Sequence, residues 1–195
     1  MIALESFFAP QVYQTPAFTI RSYQPGDGVA LQAAVVQSYD HLKASMPWAT
    51  DKQTITETER IVRQFTANYL THTDFCLGMF APNGRLLGGG GFHLRHGPMK
   101  ARTAEIGLWI RGDEASKGLG TAIVAAQITW AWSHWPWQRL VWKCDSNNIG
   151  SRKVAERNGF TLEGTMRKEF CDVTGERRDT CIYALLKPSA QHPTL

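Results

Sequence analysis

The chain has 195 residues, 43% of them hydrophobic and 19% charged. That length sits in the single-domain range and can bury a core without staples, and the composition excludes a disordered or fibrous chain. Lysine and arginine outnumber aspartate and glutamate by 21 to 17, a formal charge of +4. With no long basic run, this charge does not by itself indicate nucleic acid, and no apolar stretch is long enough to cross a bilayer.

Residues 1–11 carry Phe7 and Phe8 but lack a basic start and place Glu5 before the apolar part, so they do not make a signal peptide. Residues 1–16 are taken as an N-terminal extension and 188–195 as a tail. Residues 17–23 (AFTIRSY) alternate as a strand does, and Pro25-Gly26-Asp27-Gly28 breaks it. A helix follows over 29–39, with Leu31, Ala34, Val35 and Ser38 on one side. Beyond the loop at Pro47-Trp48, residues 54–70 form a second amphipathic helix with Ile55, Ile61, Val62, Phe65 and Tyr69 as its apolar side. Residues 75–81 and 85–94 are paired strands around Pro82-Asn83-Gly84, and the run Gly88 to Gly91 implies a bulge or a close backbone approach. Residues 102–110 add a third strand.

A polar loop (111–117) precedes a helix over 118–132, with Leu119, Ile123, Ala126 and Trp130 at helical spacing. Residues 139–144 form a short buried strand. Residues 148–157 form a helix closed by Asn158-Gly159, and 160–170 with 178–186 form a final hairpin. A meander followed by strand–helix alternation predicts one α/β domain, 17–187, with a mixed sheet. Trp130, Trp132, Trp135, Trp137 and Trp142 are expected to pack in a core or a dimer contact. Cys76, Cys144, Cys171 and Cys181 show neither a Cys-x-x-Cys pair nor metal spacing. They are expected to be buried free thiols in a reducing cytoplasm. His93 and His96 alone do not make a metal site, so no metal is expected.

The most informative segment is 105–122, EIGLWIRGDEASKGLGTA. A strand runs into a polar loop, and glycines open a helix. Such a start presents unpaired N–H groups and the positive end of the helix dipole. Gly118 and Gly120 leave room for a phosphate, and Lys117 adds charge at the rim. The spacing matches neither a P-loop nor the dinucleotide fingerprint, whose third glycine place holds Ile123. Some thirty residues on, Asn148 and Ser151 share one face of a helix start, where capping by Asn148 is the simplest account.

Taken together, Ala104-Glu105-Ile106-Gly107-Leu108-Trp109-Ile110, Lys117-Gly118-Leu119-Gly120-Thr121-Ala122, Asn148-x-x-Ser151, Asn158-Gly159-Phe160, Glu163-Gly164 and the ending 179–186 resemble the GCN5-related N-acetyltransferase (GNAT) superfamily. More narrowly, they resemble its RimJ/RimL-type ribosomal-protein acetyltransferases. The resemblance spans roughly residues 17–187. It implies a single GNAT-type domain whose mixed, mostly antiparallel sheet is flanked by helices, with acetyl-CoA as acetyl donor and no metal. Its pyrophosphate would lie on the backbone of Ala115, Ser116, Lys117, Gly118, Leu119, Gly120 and Thr121. Its pantetheine would run along Leu108, Trp109 and Ile110, with Asn148 bonding that arm. Ser151 would give a proton to the departing thiolate. The family's loop usually has Gln or Arg, then Gly, where this chain has Ala115 and Ser116. A positive φ at the second of these places would strain serine.

The implied acceptor is a primary amine of a protein or peptide N-terminus, with a small amine, amino acid or antibiotic as the alternative, or a non-catalytic CoA-binding module. An α-amine, with a pKa of about 7.7–8.0, needs only modest base catalysis. Glu169 is the favoured base and Glu105 the alternative. Glu105 serves equally well as a structural partner for a nearby cation. Trp48 is a candidate wall of the acceptor pocket. Nucleic-acid and membrane partners are not expected, and a cytoplasmic homodimer is.

Overall fold

The structure, a computed structural model, describes residue 4 and residues 6–189. The alternation at 17–23 forms β2 (Thr19–Ser22), with Ile20 and Ser22 buried. It pairs with β1 (Val12–Gln14), whose three residues lie in the stretch taken as an extension and are too few to show alternation. The meander follows as β3 (Phe75–Phe80), β4 (Leu86–His93) and β5 (Thr103–Ile110). The sheet is completed by β6 (Arg139–Asp145), β7 (Thr161–Cys171) and β8 (Arg177–Leu186), in the order β1-β2-β3-β4-β5-β6-β8-β7. Among the described residues only β5 and β6 run parallel.

Two helical layers cover the sheet. On one face lie α1 (Gly28–Gln37), α2 (Tyr39–Leu42) and α3 (Ile55–Leu70); on the other lie α4 (Leu119–His134) and α5 (Ile149–Arg157). The helix expected over 29–39 is broken at Ser38. This buried residue accepts the Gly112 N–H at 3.0 Å and so ties the break to the loop after β5. Thr54 caps α3 through a capping box with Glu57. Val62 and Tyr69 of its apolar side are buried, whereas Ile55 and Ile61 are exposed.

The glycine run in β4 reflects close approach. A Cβ on Gly90 would stand 1.9 Å from the Gly107 carbonyl oxygen, and one on Gly91 2.1 Å from that of Phe75. The tryptophans divide. Trp130, Trp135 and Trp137 are fully buried with Phe75 and Phe92. Trp135 meets Phe75 edge-on at 4.8 Å and stacks on Trp137 at 5.8 Å. These residues are core, not contact surface. The cysteines are free; Cys181 is buried, but Cys171 is exposed at the tip of the last hairpin, against expectation.

That hairpin turns on Asp172. Its carboxylate accepts the Thr174 hydroxyl, the N–H groups of Thr174 and Glu176, and Arg178. These bonds, led by the Thr174 hydroxyl, hold its pKa at about 2 against an ordinary 3.8. A carboxylate depressed on folding stabilises the fold above its ordinary pKa and loses that contribution as pH falls toward the depressed value. The protection factors of the amides at residues 173–177, intrinsic rate over observed rate at each pH, should therefore be steady from neutral pH to about 5 and fall between about 4 and 2. Asp172→Asn should show the lowered protection already at neutral pH. In the core, Trp135→Ala should cost about 3–5 kcal/mol, read as a lowered urea midpoint.

Candidate active site

The site begins where the sheet opens. β5 and β6 are paired only over Thr103–Glu105 and Arg139–Val141. Beyond that point β5 stays with β4 as far as Ile110, and β6 stays with β8 as far as Asp145. The two strands diverge, and the inner edge of residues 106–110 has no strand partner. Such an edge is a template for an extended ligand with amide groups. Leu108, Trp109 and Ile110, to which the family resemblance assigns a pantetheine path, lie on it.

At the far end of β5 the chain turns through a 3₁₀ segment (Gly112–Glu114) into α4. No backbone N–H from Ser116 to Thr121 meets an acceptor among the described residues; the first bond at this helix start is that from the Ala122 N–H to the Gly118 carbonyl. Ala115, by contrast, uses its N–H on the Gly112 carbonyl. Gly118 has φ +83° and nothing within 4 Å of a would-be Cβ, and Ser116, Lys117 and Gly118 are exposed, so the loop is open to solvent at this point. Free amides at the positive end of a helix fit a diphosphate. Lys117 stands at the rim, 3.4 Å from Glu114. The loop is held from behind. Arg85 pairs with Asp113 and Glu114, and buried Arg111 with Asp113 and Gln37. Asn158, of the Asn-Gly-Phe motif, donates to the Thr121 carbonyl at 3.3 Å.

The remaining candidates fall on the two faces. Asn148 caps α5: its Oδ1 accepts the Ser151 N–H at 3.0 Å, and its amide nitrogen remains a donor. Ser151 Oγ accepts from the Trp142 indole N–H at 3.0 Å, and its own hydroxyl lies in hydrogen-bonding contact with the Cys144 sulfur. On the opposite face, Glu105 is 4% exposed and pairs with Arg95 and, at 3.1 Å, with His96. Glu169 accepts the Thr180 hydroxyl at 2.7 Å and lies 3.7 Å from Lys143. The two carboxylates are thus not brought together.

A cavity of about 420 Å³ opens on the α1/α3 face. Aromatic and aliphatic walls (Tyr23, Val35, Phe65, Trp109) enclose it, with Asp74, Cys76, His93 and Arg95 as polar groups. Trp48, 51% exposed, stands edge-on to Trp109 at 5.8 Å and lines the same cavity. Asp74, Cys76 and His93 cluster closely there. Sequence reasoning missed this trio, since its members lie on β4 and at and just before β3; the signal available was that the β3–β4 hairpin pairs Cys76 with Gly91, two residues from His93.

Ser116 adopts φ +60°, the left-handed conformation that disfavours a side chain. Ser116→Gly should stabilise the protein by about 0.5–1 kcal/mol after the added chain entropy of glycine is offset. Ser116→Val should cost about 1–3 kcal/mol. Thermal melts measure both.

The sequence family model "Acetyltransferase (GNAT) domain" matches residues 18–161. Among curated proteins, "Putative ribosomal N-acetyltransferase YdaF" of Bacillus subtilis (strain 168) is 30% identical over 170 residues, covering 87% of this chain and 91% of that protein. The ribosomal-protein-serine acetyltransferase of Escherichia coli (strain K12) is 36% identical over 67 residues, 34% of this chain and 37% of its own. Among solved structures, RimL, a ribosomal L7/L12 α-N-protein acetyltransferase in complex with coenzyme A, superposes with a TM-score of 0.81 at 23% identity, covering 90% of this chain and 98% of that one. The microcin C7 self-immunity acetyltransferase MccE, in complex with acetyl-CoA and AMP, gives 0.80 at 22%, covering 92% and 98%. The open strand edge, the free amides before α4 and the match over residues 18–161 lead to one conclusion: this chain belongs to the GNAT family of acetyltransferases, acetyl-CoA-dependent enzymes that acetylate primary amines.

Proposed function

We propose that the acceptor is the α-amino group of a protein or peptide N-terminus, a ribosomal protein in particular, and that the reaction takes place in the cytoplasm. The observation that carries this reading is the placement of the cavity. Trp109 contributes to its wall and also lies on the open edge of β5, so an acceptor in the cavity and a thioester on the edge meet across a single strand. The names of the relatives, ribosomal-protein acetyltransferases, support the acceptor class. An α-amine is partly neutral near neutral pH and is the amine that this site can use with least help.

The coenzyme supplies an acyl thioester; the chain's residues supply the rest. The amides of residues 116–121 hold a diphosphate, and the edge of residues 108–110 pairs with the pantetheine arm. The Asn148 amide nitrogen donates to the same arm. Ser151 donates its hydroxyl proton toward the departing sulfur, its oxygen being oriented by the Trp142 indole. Glu105, with its oxygens bound to Arg95 and His96, holds Arg95, one of the polar groups that line the cavity.

Acetyl-CoA turnover should be measured with short peptides bearing free serine, alanine or methionine N-termini and with spermidine and free amino acids. Turnover of a free-N-terminal peptide, abolished by prior N-terminal blocking, is expected. Turnover of the small amines alone would overturn this acceptor class, and no turnover with CoA still bound would favour a binding module. Ser151→Ala should lower kcat by about 10²-fold while the calorimetric affinity for CoA stays within about twofold.

A further inference from the structure

His93 closes β4, opposite Glu105, and its ring lies over Gly107. Its Nε2 is 2.7 Å from the point that a Cβ on Gly107 would occupy, so the ring is seated there only because residue 107 has no side chain. Its Nδ1 stands 3.0 and 3.1 Å from the two carboxylate oxygens of Asp74. Asp74 also accepts the Cys76 thiol at 3.4 Å and the Leu94 backbone N–H. Burial opposes its ionisation, but these bonds, led by His93, hold it below the usual aspartate value. An ionised carboxylate only accepts, so Nδ1 carries a proton directed at Asp74, and in the neutral ring that tautomer leaves the lone pair on Nε2. Nε2 makes no hydrogen bond among the described residues, and the ring lines the cavity.

No other basic group in the cavity is so free. Both Glu105 oxygens are held, by Arg95 and His96, and neither Glu105 nor Glu169 is among the residues lining the cavity; Glu169 stands against Thr180 and Lys143. Arg95, Tyr23, Cys76 and Asp74 are the other ionisable side chains around the ring's side of the cavity. Cys76 spends its proton on Asp74, and burial pushes its thiol up, so the trio is a hydrogen-bonded relay and not a thiolate nucleophile.

We propose that the Asp74–His93 pair is the general base of this acetyltransferase, with His93 Nε2 as the catalytic atom and Asp74 as the positioning residue. As the acceptor nitrogen bonds to the acetyl carbon, Nε2 takes the proton that nitrogen loses. The carbon–sulfur bond breaks, and the sulfur takes the Ser151 hydroxyl proton; Ser151 is reprotonated from solvent and His93 releases its proton there, so the net products are the amide and the free thiol. The inference rests on the transfer to an amine proposed above, but it does not depend on which amine is used.

The test uses the full chain and whichever acceptor the wild type turns over, a free-N-terminal serine peptide or spermidine. The choice of acceptor decides the acceptor class, and the variants decide the base. His93→Gln, which retains a donor to Asp74, should lower kcat by about 10²–10⁴-fold with CoA affinity and thermal midpoint preserved. His93→Gly should regain activity when free imidazole is added, an effect that a purely structural histidine would not give. Long-range proton–nitrogen NMR should show His93 protonated on Nδ1 and bare on Nε2, a preference weakened in Asp74→Asn. His93→Gln activity within about threefold of wild type, no imidazole rescue, or an Nε2-protonated ring would overturn the proposal. A loss confined to Glu105→Gln or Glu169→Gln would reassign the base to that carboxylate.

Discussion

Backbone amides in a sheet must find partners, and the site depends on one place where they do not. β5 and β6 share a ladder as far as Glu105 and Val141, and then each follows its other neighbour. The meander binds β5 on one side and the final hairpin binds β6 on the other, so the sheet stays whole while a wedge opens within it. Unpaired backbone groups on a half-buried edge are costly, and an extended ligand would supply the missing partners. The wedge also brings the two helical layers within reach of one point: α4 and α5 from one face, the cavity under α1 and α3 from the other.

Electrostatics at the wedge are arranged from behind. The acidic side chains next to the amide loop, Asp113 and Glu114, are occupied by Arg85 and Arg111. The amides before α4 thus present a positive dipole end that neighbouring carboxylates do not cancel. Ser38, at the break between α1 and α2, accepts the Gly112 N–H and so joins these helices to the loop after β5. Ser116 holds a conformation that glycine would adopt at less cost, and the surrounding loop is what keeps it there.

The acceptor side is built differently, from aromatic walls and a few polar groups. Trp109 belongs to both sides, being a strand residue on the open edge and a wall of the cavity. Glu105, locked by Arg95 and His96, and His93, whose Nε2 has no partner among the described residues, lie side by side on one small patch of sheet.

Local chemistry in the sequence carried the elements and the coenzyme side. Alternation marks β2, glycines and the following apolar period mark the start of α4, and Asn-x-x-Ser marks the α5 cap. Each signal lies within a few consecutive residues, because backbone propensity and capping act at short range. β1 left no such signal, since three residues cannot show a period. The order of the strands, the point where β5 and β6 part, and the burial of Trp135 against Trp137 were decided only by tertiary structure. So was the meeting of Asp74, Cys76 and His93 over Gly107. These depend on which strands become neighbours, and a strand's own residues state its faces but not its partners.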